Sequence, residues 1–555
     1  MLAYRPVTEN RRRLRMRRAP RKRRRSNDLH KYWTVLLIWT RALGRRRALA
    51  VTVFGVLGFG GSALFSVVNG GPLPAILDEF SYLLAADTFA NWRLTNPSHP
   101  HWEHFETFHV IMQPTYASKY PPAQGLVLAL GQVVTGSPAA GVWLGAGIMT
   151  AAIVWMLLNW LPPHWAVLAG TFATVQLSWI SYWGHSYWGG AVAAAGGALA
   201  FGALRASFPR ARFAAGIVLG SGLAILAASR PFEGAVVGVS VCIALGLRLV
   251  SARGSDRARD MRTVLAAACV VMMAVAWLGY YNWRVTGSPL TMPYQVYQAQ
   301  YSSNPFLLFG TQRVAPVYRH AQMERLFREW GQERKQYQRS LVGWLTGVPL
   351  KLVIMTSTLL GVGSLALIGL PGIARKRSLR FVFATVAAVV GAALLTAGSF
   401  PHYVAPIAAL IYVVAGTALC HLHRRARRER ATNFALVAAI AVAVTTPVIL
   451  VQVAAVQPPF ALGRADIQRE LELLSAKSLV LVVYRPTHNI HQEWVYNRAD
   501  IDSARVVWAR SMSTEQNQRL IDYFPDRTVW RFAPGEAIAL QPYSPDVGSR
   551  TDPNP

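Results

Sequence analysis

The sequence predicts an α-helical membrane protein that crosses the bilayer about eleven times and ends in a small α/β domain. Three observations support this prediction. Of the 555 residues, 53% are hydrophobic and only 15% are charged. Apolar stretches of about 20 residues, the length that crosses a bilayer, recur between residues 48 and 456. Lysine and arginine cluster in short segments between these stretches, as is typical of the cytoplasmic loops of membrane proteins.

The longest apolar stretches define the expected spans. They lie near residues 48–69, 139–160, 164–181, 187–205, 212–229, 232–250, 263–283, 346–371, 380–398, 402–420 and 432–455. One more apolar stretch, PPAQGLVLALGQVVTG at 121–136, is short and begins with two prolines, so we expect a half-buried helix on the outer side instead. With that choice, five basic segments holding 33 of the 57 lysines and arginines all lie in the cytoplasm. The N-terminus is then cytoplasmic and the C-terminus lies outside.

This topology divides the chain into four regions. The helical patterns ADIQRELELLS and TEQNQRLIDYF alternate with the strand-like SLVLVVY and ARVVWAR in the polar C-terminal part, which predicts a small α/β domain. The regions are a basic cytoplasmic tail at 1–47, a membrane domain at 48–456 with large outer loops at 70–138 and 284–345, a periplasmic α/β domain at 457–540, and a disordered tail at 541–555.

Composition and motifs exclude several functions. The formal net charge of +31 arises largely from the basic tail and the basic loops, which suit anionic lipid head groups, so we do not expect nucleic acid as a partner. All three cysteines lie in apolar stretches and form no disulfide framework or CxxC motif. The sequence has neither a GxxxxGK[ST] motif nor a strand-linked GxGxxG motif, which argues against a cytoplasmic nucleotide-sugar donor.

The segment GGPLPAILDEFSYLLAADTFA at 70–90 carries the strongest candidate for chemistry. It places Asp78 and Glu79 together at the outer end of the first span, where a carboxylate is costly and often functional. Adjacent helical residues point about 100° apart, so the two acids do not face one another as a glycosidase pair does. We expect one to face a cavity, with Tyr82 on the face of Asp78, and the other to be held by a neighbour. A hydrated pair that only marks a helix end is the alternative.

This acid pair, the segments HFETFHVIMQPTYASKYPPAQG and SYWGHSYWGG, the long outer loop and the outer C-terminal domain resemble the GT-C glycosyltransferases. The most similar branch contains the protein O-mannosyltransferases and the lipid A aminoarabinose transferases, in glycosyltransferase family 39. The resemblance covers the layout of most of residues 48–456 but only short motifs in sequence. It implies inverting transfer of a sugar from a polyprenyl-phosphate carrier to an acceptor on the non-cytoplasmic side. It also implies that Asp78 is the general base and that Glu79 orients a neighbour or binds a sugar hydroxyl.

The departing phosphate of such a donor needs positive charge more than it needs a strong acid. Lys119, followed by Tyr120 in SKYPP, matches the lysine before the paired prolines of the family pattern and is the first candidate. A lysine that only snorkels at a helix start is the alternative. Arg230, in ASRPFEG, is the sole basic residue between the fifth and sixth spans, but it could equally form an ion pair with Glu233.

Four further substrate-binding candidates are less specific. His185 lies in SYWGHSYWGG, where the aromatic residues also suit an interfacial belt. His402 lies in SFPHYVAP, for which a plain turn is the alternative. Arg313 and His320 lie in the second large loop, which holds eight lysines and arginines, so any single choice there is weak.

The segment HPHWEHFETFH at 99–109 mixes histidine and glutamate, which are side chains that zinc accepts. Its irregular spacing favours acceptor binding or loop packing, so we assign no metal ligand. No cofactor is predicted with certainty, and a divalent metal stays open as a hypothesis.

The predicted function is therefore that of a multi-pass glycosyltransferase of the bacterial inner membrane. Its partners would be the polyprenyl-phosphate sugar donor, membrane lipids, and an acceptor that is a lipid, a glycan or a protein. A transporter or flippase of lipid-linked sugars is the first alternative, although it would be expected to have internal repeats and mid-membrane acids. A noncatalytic scaffold that binds partners through its C-terminal domain is the second.

Overall fold

The structure, a computed structural model, describes residues 35, 37–206, 212–398, 400–428, 457–536 and 539–544. Seven helices in this part of the chain are long and apolar enough to cross a membrane. The chain is therefore a multi-pass membrane protein. The seven are Arg47–Val68, Ala139–Trp160, Pro231–Ser251, Gly254–Thr286, Leu341–Ile373, Arg377–Leu394 and Pro401–Arg425.

Seventeen α-helices lie between residues 47 and 428 of the described chain. In chain order they are α1 (Arg47–Val68), α2 (Leu77–Ala90), α3 (Trp102–Phe105), α4 (Pro122–Thr135), α5 (Ala139–Trp160), α6 (Pro163–Ala173), α7 (Ala191–Arg205), α8 (Arg212–Ser229), α9 (Pro231–Ser251), α10 (Gly254–Thr286), α11 (Pro293–Tyr301), α12 (Ala321–Glu324), α13 (Gly331–Arg339), α14 (Leu341–Leu360), α15 (Leu370–Ile373), α16 (Arg380–Leu394) and α17 (Ala408–Arg428).

Several helices continue with a different helical pitch. The π-helical segments are Thr174–Ile180 after α6 and Arg325–Trp330 after α12. The 3₁₀ segments are Tyr182–Gly184, Gly361–Gly369, Arg377–Leu379 and Pro401–Ile407.

The predicted fold class, a helical membrane protein with a small α/β region at its C-terminal end, is confirmed. Ten of the eleven expected spans coincide with helices or helix pairs. The eleventh, at 432–455, lies outside the described residues, so the count of eleven stays a prediction. Residues 1–34 of the basic tail and 545–555 of the expected disordered tail also lie outside them.

The segment between α1 and α5 folds around α2, the helix that begins with the acid pair. Three short strands, β1 (Asn96–Pro97), β2 (Val110–Ile111) and β3 (Thr115–Ser118), form an antiparallel sheet in the order β1-β3-β2. Helix α4 then packs on α2 at Gly125, where a Cβ atom would lie 2.7 Å from the Cβ of Ala85. This close approach depends on glycine, and it fixes α2 beside the start of α4.

The C-terminal residues form an α/β layer. Helix α18 (Pro459–Leu473) is followed by β4 (Lys477–Val482), β5 (Val506–Arg510), α19 (Thr514–Tyr523), β6 (Arg527–Phe532) and β7 (Leu540–Pro542). The sheet has the order β5-β4-β6-β7, with only the β6–β7 pair antiparallel. Strand β7 extends two residues past 540, where the sequence predicts disorder to begin.

The C-terminal sheet packs directly on α2. Phe80 and Leu84 of α2 share one buried apolar cluster with Leu479, Leu481 and Val507 of the sheet. Burial of such side chains contributes about 1.5–3 kcal/mol each. The position of α2, and of the acids at its start, therefore depends on the C-terminal region as well as on the membrane helices.

Candidate active site

A cavity of about 520 Å³ lies between the start of α2, the start of α9 and helix α13. Its volume is within the range of small-molecule sites. Residues from nine separate segments of the chain, between Ala75 and His491, meet in its wall. The predicted site residues that line it are Asp78, Lys119, Tyr120, Arg230 and His402.

Asp78 is the second residue of α2 and turns its carboxylate towards this cavity. The Tyr120 hydroxyl donates a hydrogen bond to Oδ1, and Oδ2 lies 3.7 Å from Nε2 of His109. Burial alone raises the pKa of Asp78, but His109, Lys119 and hydrogen bonds from Tyr120 and Trp188 outweigh it, so the pKa lies below its usual value. The start of a helix also favours negative charge. Asp78 is therefore ionised at neutral pH.

His109 connects Asp78 to a buried lysine. Nζ of Lys119 lies 2.8 Å from Nδ1 of His109. A charged lysine can only donate, so Nδ1 accepts and the ring proton lies on Nε2, which faces Asp78. Burial lowers the pKa of His109 to about 3 and that of Lys119 to about 8, the latter against the opposing effect of Asp78. The lysine is thus the cation of this group and the imidazole is neutral.

The backbone at His109 has a conformation that side chains other than glycine rarely adopt, with φ at 64°. Its N–H donates to the Tyr297 hydroxyl at 2.7 Å, and its carbonyl accepts from the Ser81 hydroxyl at 2.6 Å. These bonds hold the residue in place. Backbone strain of this kind is often retained at functional sites.

Glu79 is buried and directs its carboxylate away from the cavity. Oε2 accepts from the N–H groups of Ala75 at 2.8 Å and Ile76 at 3.1 Å, and Oε1 accepts from that of Tyr187 at 3.0 Å. Burial raises the pKa of Glu79 to about 7, although the three backbone bonds oppose that rise. The side chain therefore fixes the turn before α2 and joins it to the segment that contains Trp188.

Tyr82 is also behind the cavity wall. Its ring stacks on that of Tyr120, with centroids 4.4 Å apart. Because the Tyr120 hydroxyl holds Asp78, this stacking positions the carboxylate indirectly.

Positive charge surrounds the lone acid of the cavity. Among the described lining residues Asp78 is the only carboxylate, whereas four side chains are cationic: Lys119, Arg230, Arg334 and Lys335. The guanidinium of Arg230 lies 4.9 Å from the Tyr403 ring, and that of Arg334 lies 4.9 Å from the Trp330 ring. Nζ of Lys335 is buried and has no hydrogen-bond partner within the described part of the chain. The cationic side chains of the lining outnumber its single carboxylate, so the cavity suits a bound anion whose negative charge exceeds that of one carboxylate.

Comparisons with known proteins identify the fold. No family model matches the sequence, and no curated protein matches it. The structure is similar to that of ArnT from Cupriavidus metallidurans in the apo state, with a TM-score of 0.50 and 12% identity over 92% of this chain and 94% of that one. The fold is the GT-C fold. The resemblance inferred from the acid pair and the outer segments is thereby confirmed at the level of the fold.

Two further solved structures are similar at lower scores. ArnT from Cupriavidus metallidurans bound to undecaprenyl phosphate has a TM-score of 0.49 and 13% identity, over 88% of this chain and 94% of that one. The oligosaccharyltransferase of Archaeoglobus fulgidus in complex with Zn and sulfate has a TM-score of 0.47 and 12% identity, over 86% of this chain and 68% of that one.

Three of the predicted residues lie elsewhere in this GT-C fold. The ring of His185 faces the Trp179 carbonyl, with its Nε2 2.7 Å from the oxygen, and packs beside Phe65. Arg313 is exposed in the loop before α12. His320 is buried, with Nε2 2.9 Å from the Glu103 carbonyl. None of the three lines the cavity.

Other cavity residues had no assignment from the sequence. His109 and Trp188 belong to segments that the sequence had singled out, as a histidine cluster and an aromatic cluster, but without this role. Arg334 and Lys335 lie among the eight basic residues of the second loop, where no pattern separates them from their neighbours. Trp330, one turn before Arg334, was likewise unassigned.

The histidines of segment 99–109 do not converge on a common point. His99 lies 3.0 Å from Asp502, His104 lies 2.8 Å from the Arg510 carbonyl, and His109 faces the cavity. The described residues contain no group of three or more His, Cys, Asp or Glu side chains able to hold a metal ion. A divalent metal thus remains a hypothesis without assigned ligands.

Proposed function

We propose that this chain is a membrane glycosyltransferase that moves a sugar from a polyprenyl-phosphate donor to an acceptor hydroxyl, with inversion. One observation carries the proposal: an ionised aspartate faces a cavity that four cationic side chains also line. A base for the acceptor and positive charge for a phosphate are the two requirements of this reaction.

The acceptor oxygen would approach Oδ2 of Asp78, since Oδ1 already accepts from Tyr120. As that oxygen attacks the anomeric carbon, its proton passes to Asp78. The bond from the anomeric carbon to the phosphate oxygen breaks, and its electron pair leaves with the phosphate. A single displacement of this kind inverts the anomeric centre.

Lys119 and the arginines would stabilise the charge that the phosphate gains as it leaves. Lys119 is held by His109 and lies 4.8 Å from the Tyr297 ring, so it needs little reorganisation. The choice of a polyprenyl phosphate as carrier follows Cupriavidus ArnT, which has been crystallised with undecaprenyl phosphate. Glu79 would be a positioning residue, because its carboxylate is engaged by three backbone amides.

The proposal includes the orientation inferred from the basic segments: cytoplasmic N-terminus, periplasmic C-terminus and a cavity open to the periplasm of a bacterial inner membrane. A reporter fused after Gly136 tests it. The proposal expects a periplasmic signal, and a cytoplasmic signal would contradict it.

Asp78→Asn tests the chemistry. We expect membranes with this variant to lose transfer from a radiolabelled polyprenyl-phosphate sugar, whereas Asp466→Asn, on the exposed side of α18, should keep it. Asp466 is a fair control because its side chain is 68% exposed. Transfer at the normal rate by Asp78→Asn would overturn the assignment of the base. Translocation of the intact donor in proteoliposomes, with no transfer, would favour the flippase instead.

A further inference from the structure

One side of the active-site cavity is formed by aromatic rings. Trp188, Phe400, His402 and Tyr403 all line it, and we call these four residues the aromatic wall. Trp188, Phe400 and Tyr403 are only half-buried. The centroid of the Trp188 ring lies 5.0 Å from that of Phe400 and 4.6 Å from that of His402. The proposed transfer reaction assigns this wall no role.

The aromatic wall adjoins both groups that the proposed reaction needs. The Trp188 side chain donates a hydrogen bond to Asp78, the proposed base for the acceptor. The guanidinium of Arg230, one of the cations assigned to the phosphate, lies 4.9 Å from the Tyr403 ring. A ligand bound against the wall would therefore lie close to the base and to a cation at the same time. The sugar is the part of the donor that must occupy such a place, because its anomeric carbon receives the acceptor oxygen and releases the phosphate.

His402 contributes an unpartnered polar atom to the wall. The residue is only 2% exposed, and its Nδ1 lies 2.7 Å from the Tyr182 hydroxyl oxygen, which fixes the orientation of the ring. Nε2, on the other side of the ring, has no hydrogen-bond partner among the described residues. Because His402 lines the cavity, a bound ligand can supply that partner. Tyr182 is not among the described lining residues, so it holds His402 from behind.

The chemistry of this nitrogen favours a hydroxyl group as its partner. The Tyr182 hydroxyl can donate to Nδ1 or accept from it, so Nε2 is a donor in one tautomer of the imidazole and an acceptor in the other. A sugar hydroxyl both donates and accepts, and it therefore matches either tautomer. An ionised phosphate oxygen only accepts, and it matches one of them.

We propose that the aromatic wall is the subsite for the donor's sugar: a pyranose ring packs against Trp188 and Phe400, and one of its hydroxyls hydrogen-bonds to Nε2 of His402. Aromatic side chains offer apolar area to the C–H faces of such a ring, and a few placed polar groups give a pocket of this kind its specificity. Tyr182 is then a positioning residue. The assignment rests on the proposed function, which supplies the lipid-linked sugar, and it leaves the phosphate to Lys119 and the arginines.

Binding of lipid-linked sugars to the purified full-length protein in detergent, without acceptor, tests this subsite. The probes are undecaprenyl phosphate and its glucose, galactose and mannose esters. We expect at least one ester to bind wild type about tenfold more tightly than undecaprenyl phosphate, because the sugar adds apolar contact and a hydrogen bond. Phe400→Leu keeps an apolar side chain but removes the ring, and it should reduce this preference about threefold.

Two substitutions distinguish the two nitrogens of His402. The side-chain amide of asparagine lies near the position of Nδ1, and that of glutamine lies near the position of Nε2. His402→Asn should therefore keep the bond to Tyr182 yet reduce the preference for the ester about three- to tenfold, the effect of one hydrogen bond, whereas His402→Gln should retain most of it. The affinity for undecaprenyl phosphate should change less than about twofold in both. His185→Asn is the matched control, because it removes an imidazole outside the cavity, and it should bind every probe as wild type does.

Tyr182→Phe tests the positioning role. Without the hydroxyl the imidazole is free to turn, so the preference for the ester should fall about two- to fivefold. In the His402→Gln background the same substitution should change nothing, because the glutamine amide makes no bond to Tyr182. An equal effect of Tyr182→Phe in both backgrounds would show that Tyr182 acts on the fold and not through His402.

Three results would overturn the sugar subsite. They are the absence of any preferred ester in wild type, an unchanged preference in His402→Asn, and an equal loss of affinity for the ester and for undecaprenyl phosphate in His402→Asn, which would assign His402 to the phosphate. If His402→Asn fails to fold, Phe400→Leu decides by the same comparison. Asp78→Asn should keep the preference while it loses transfer. Normal transfer by Asp78→Asn with the preference intact would overturn the proposed base and leave the sugar subsite standing.

Discussion

Two buried groups of charges in this molecule contain similar residues and differ in balance. In the C-terminal sheet, Arg510 forms a buried ion pair with Glu493, and its Nε donates to the Glu106 carbonyl at 2.6 Å. Glu493 also accepts from the N–H groups of Trp494 and Val495. In the active-site cavity, by contrast, four cations surround one carboxylate. Burial and charge alone therefore do not mark a candidate site, whereas an excess of positive charge beside open volume does.

The largest expected effect comes from Asp78, the one carboxylate of the active-site cavity. Asp78→Asn should lower kcat by about 100- to 10,000-fold, because a general base contributes that much to proton transfer. Thermal unfolding of the variant should stay within a few degrees of wild type, since the amide fills the same space. A large loss of stability with little loss of transfer rate would contradict this role and show that Asp78, like Glu493, mainly stabilises the fold.

The buried ion pair of Arg510 and Glu493 should give the opposite result, with a loss of stability and little loss of transfer rate. Glu493→Ala leaves Arg510 buried without its partner, which should lower the free energy of unfolding by about 3–5 kcal/mol. Denaturant unfolding in detergent measures this change. Transfer per folded molecule should change little, and a selective loss of rate would show that this pair also serves the site.

Two arginines of the same loop provide a smaller and more discriminating contrast. Arg334 lines the cavity and Arg313 does not. Arg334→Gln should raise the KM for the lipid-linked donor about 10- to 100-fold, the effect of removing one charged hydrogen bond of about 1.5–3 kcal/mol. Arg313→Gln should change it less than twofold. Similar effects of both variants would argue against a phosphate site at Arg334.

The pH dependence should give the smallest effect. The Lys119 pKa of about 8 lies below the usual value, so the ammonium is present below pH 8 and lost above it. We expect kcat/KM to fall by up to tenfold for each pH unit above pH 8. Lys335 also has a pKa lowered to about 8, so Lys119→Arg distinguishes the two. If the pH profile of Lys119→Arg moves to higher pH, the group that titrates is Lys119. If the profile is unchanged, the group is Lys335.

The sequence predicted the fold and part of the cavity for different reasons. Hydropathy and the distribution of basic residues suffice for a helical membrane protein. Asp78 and Lys119 were found because each has an unusual local setting: an acid pair beside an apolar run, and a lone base before two prolines. Both signals lie within a few residues of the side chain concerned.

The remaining cavity residues have no such local signal. Arg334 looks like every other arginine of its loop, and only the fold brings it to the cavity that Asp78 also lines. His185 and His320 looked equally suitable, yet each is satisfied by a nearby backbone carbonyl. Which side chains line the cavity is a property of the folded chain and is not readable from spacing.

The Tyr496 hydroxyl donates to the carbonyls of Leu77 at 3.3 Å and Phe108 at 3.2 Å. Each carbonyl belongs to the residue just before a cavity residue, Asp78 in one case and His109 in the other. Anyone trimming this protein by cutting at residue 457 would therefore remove the support of both. The C-terminal region is in engineering terms a part of the frame of the cavity, and a redesigned or swapped version would have to supply an equivalent hydroxyl.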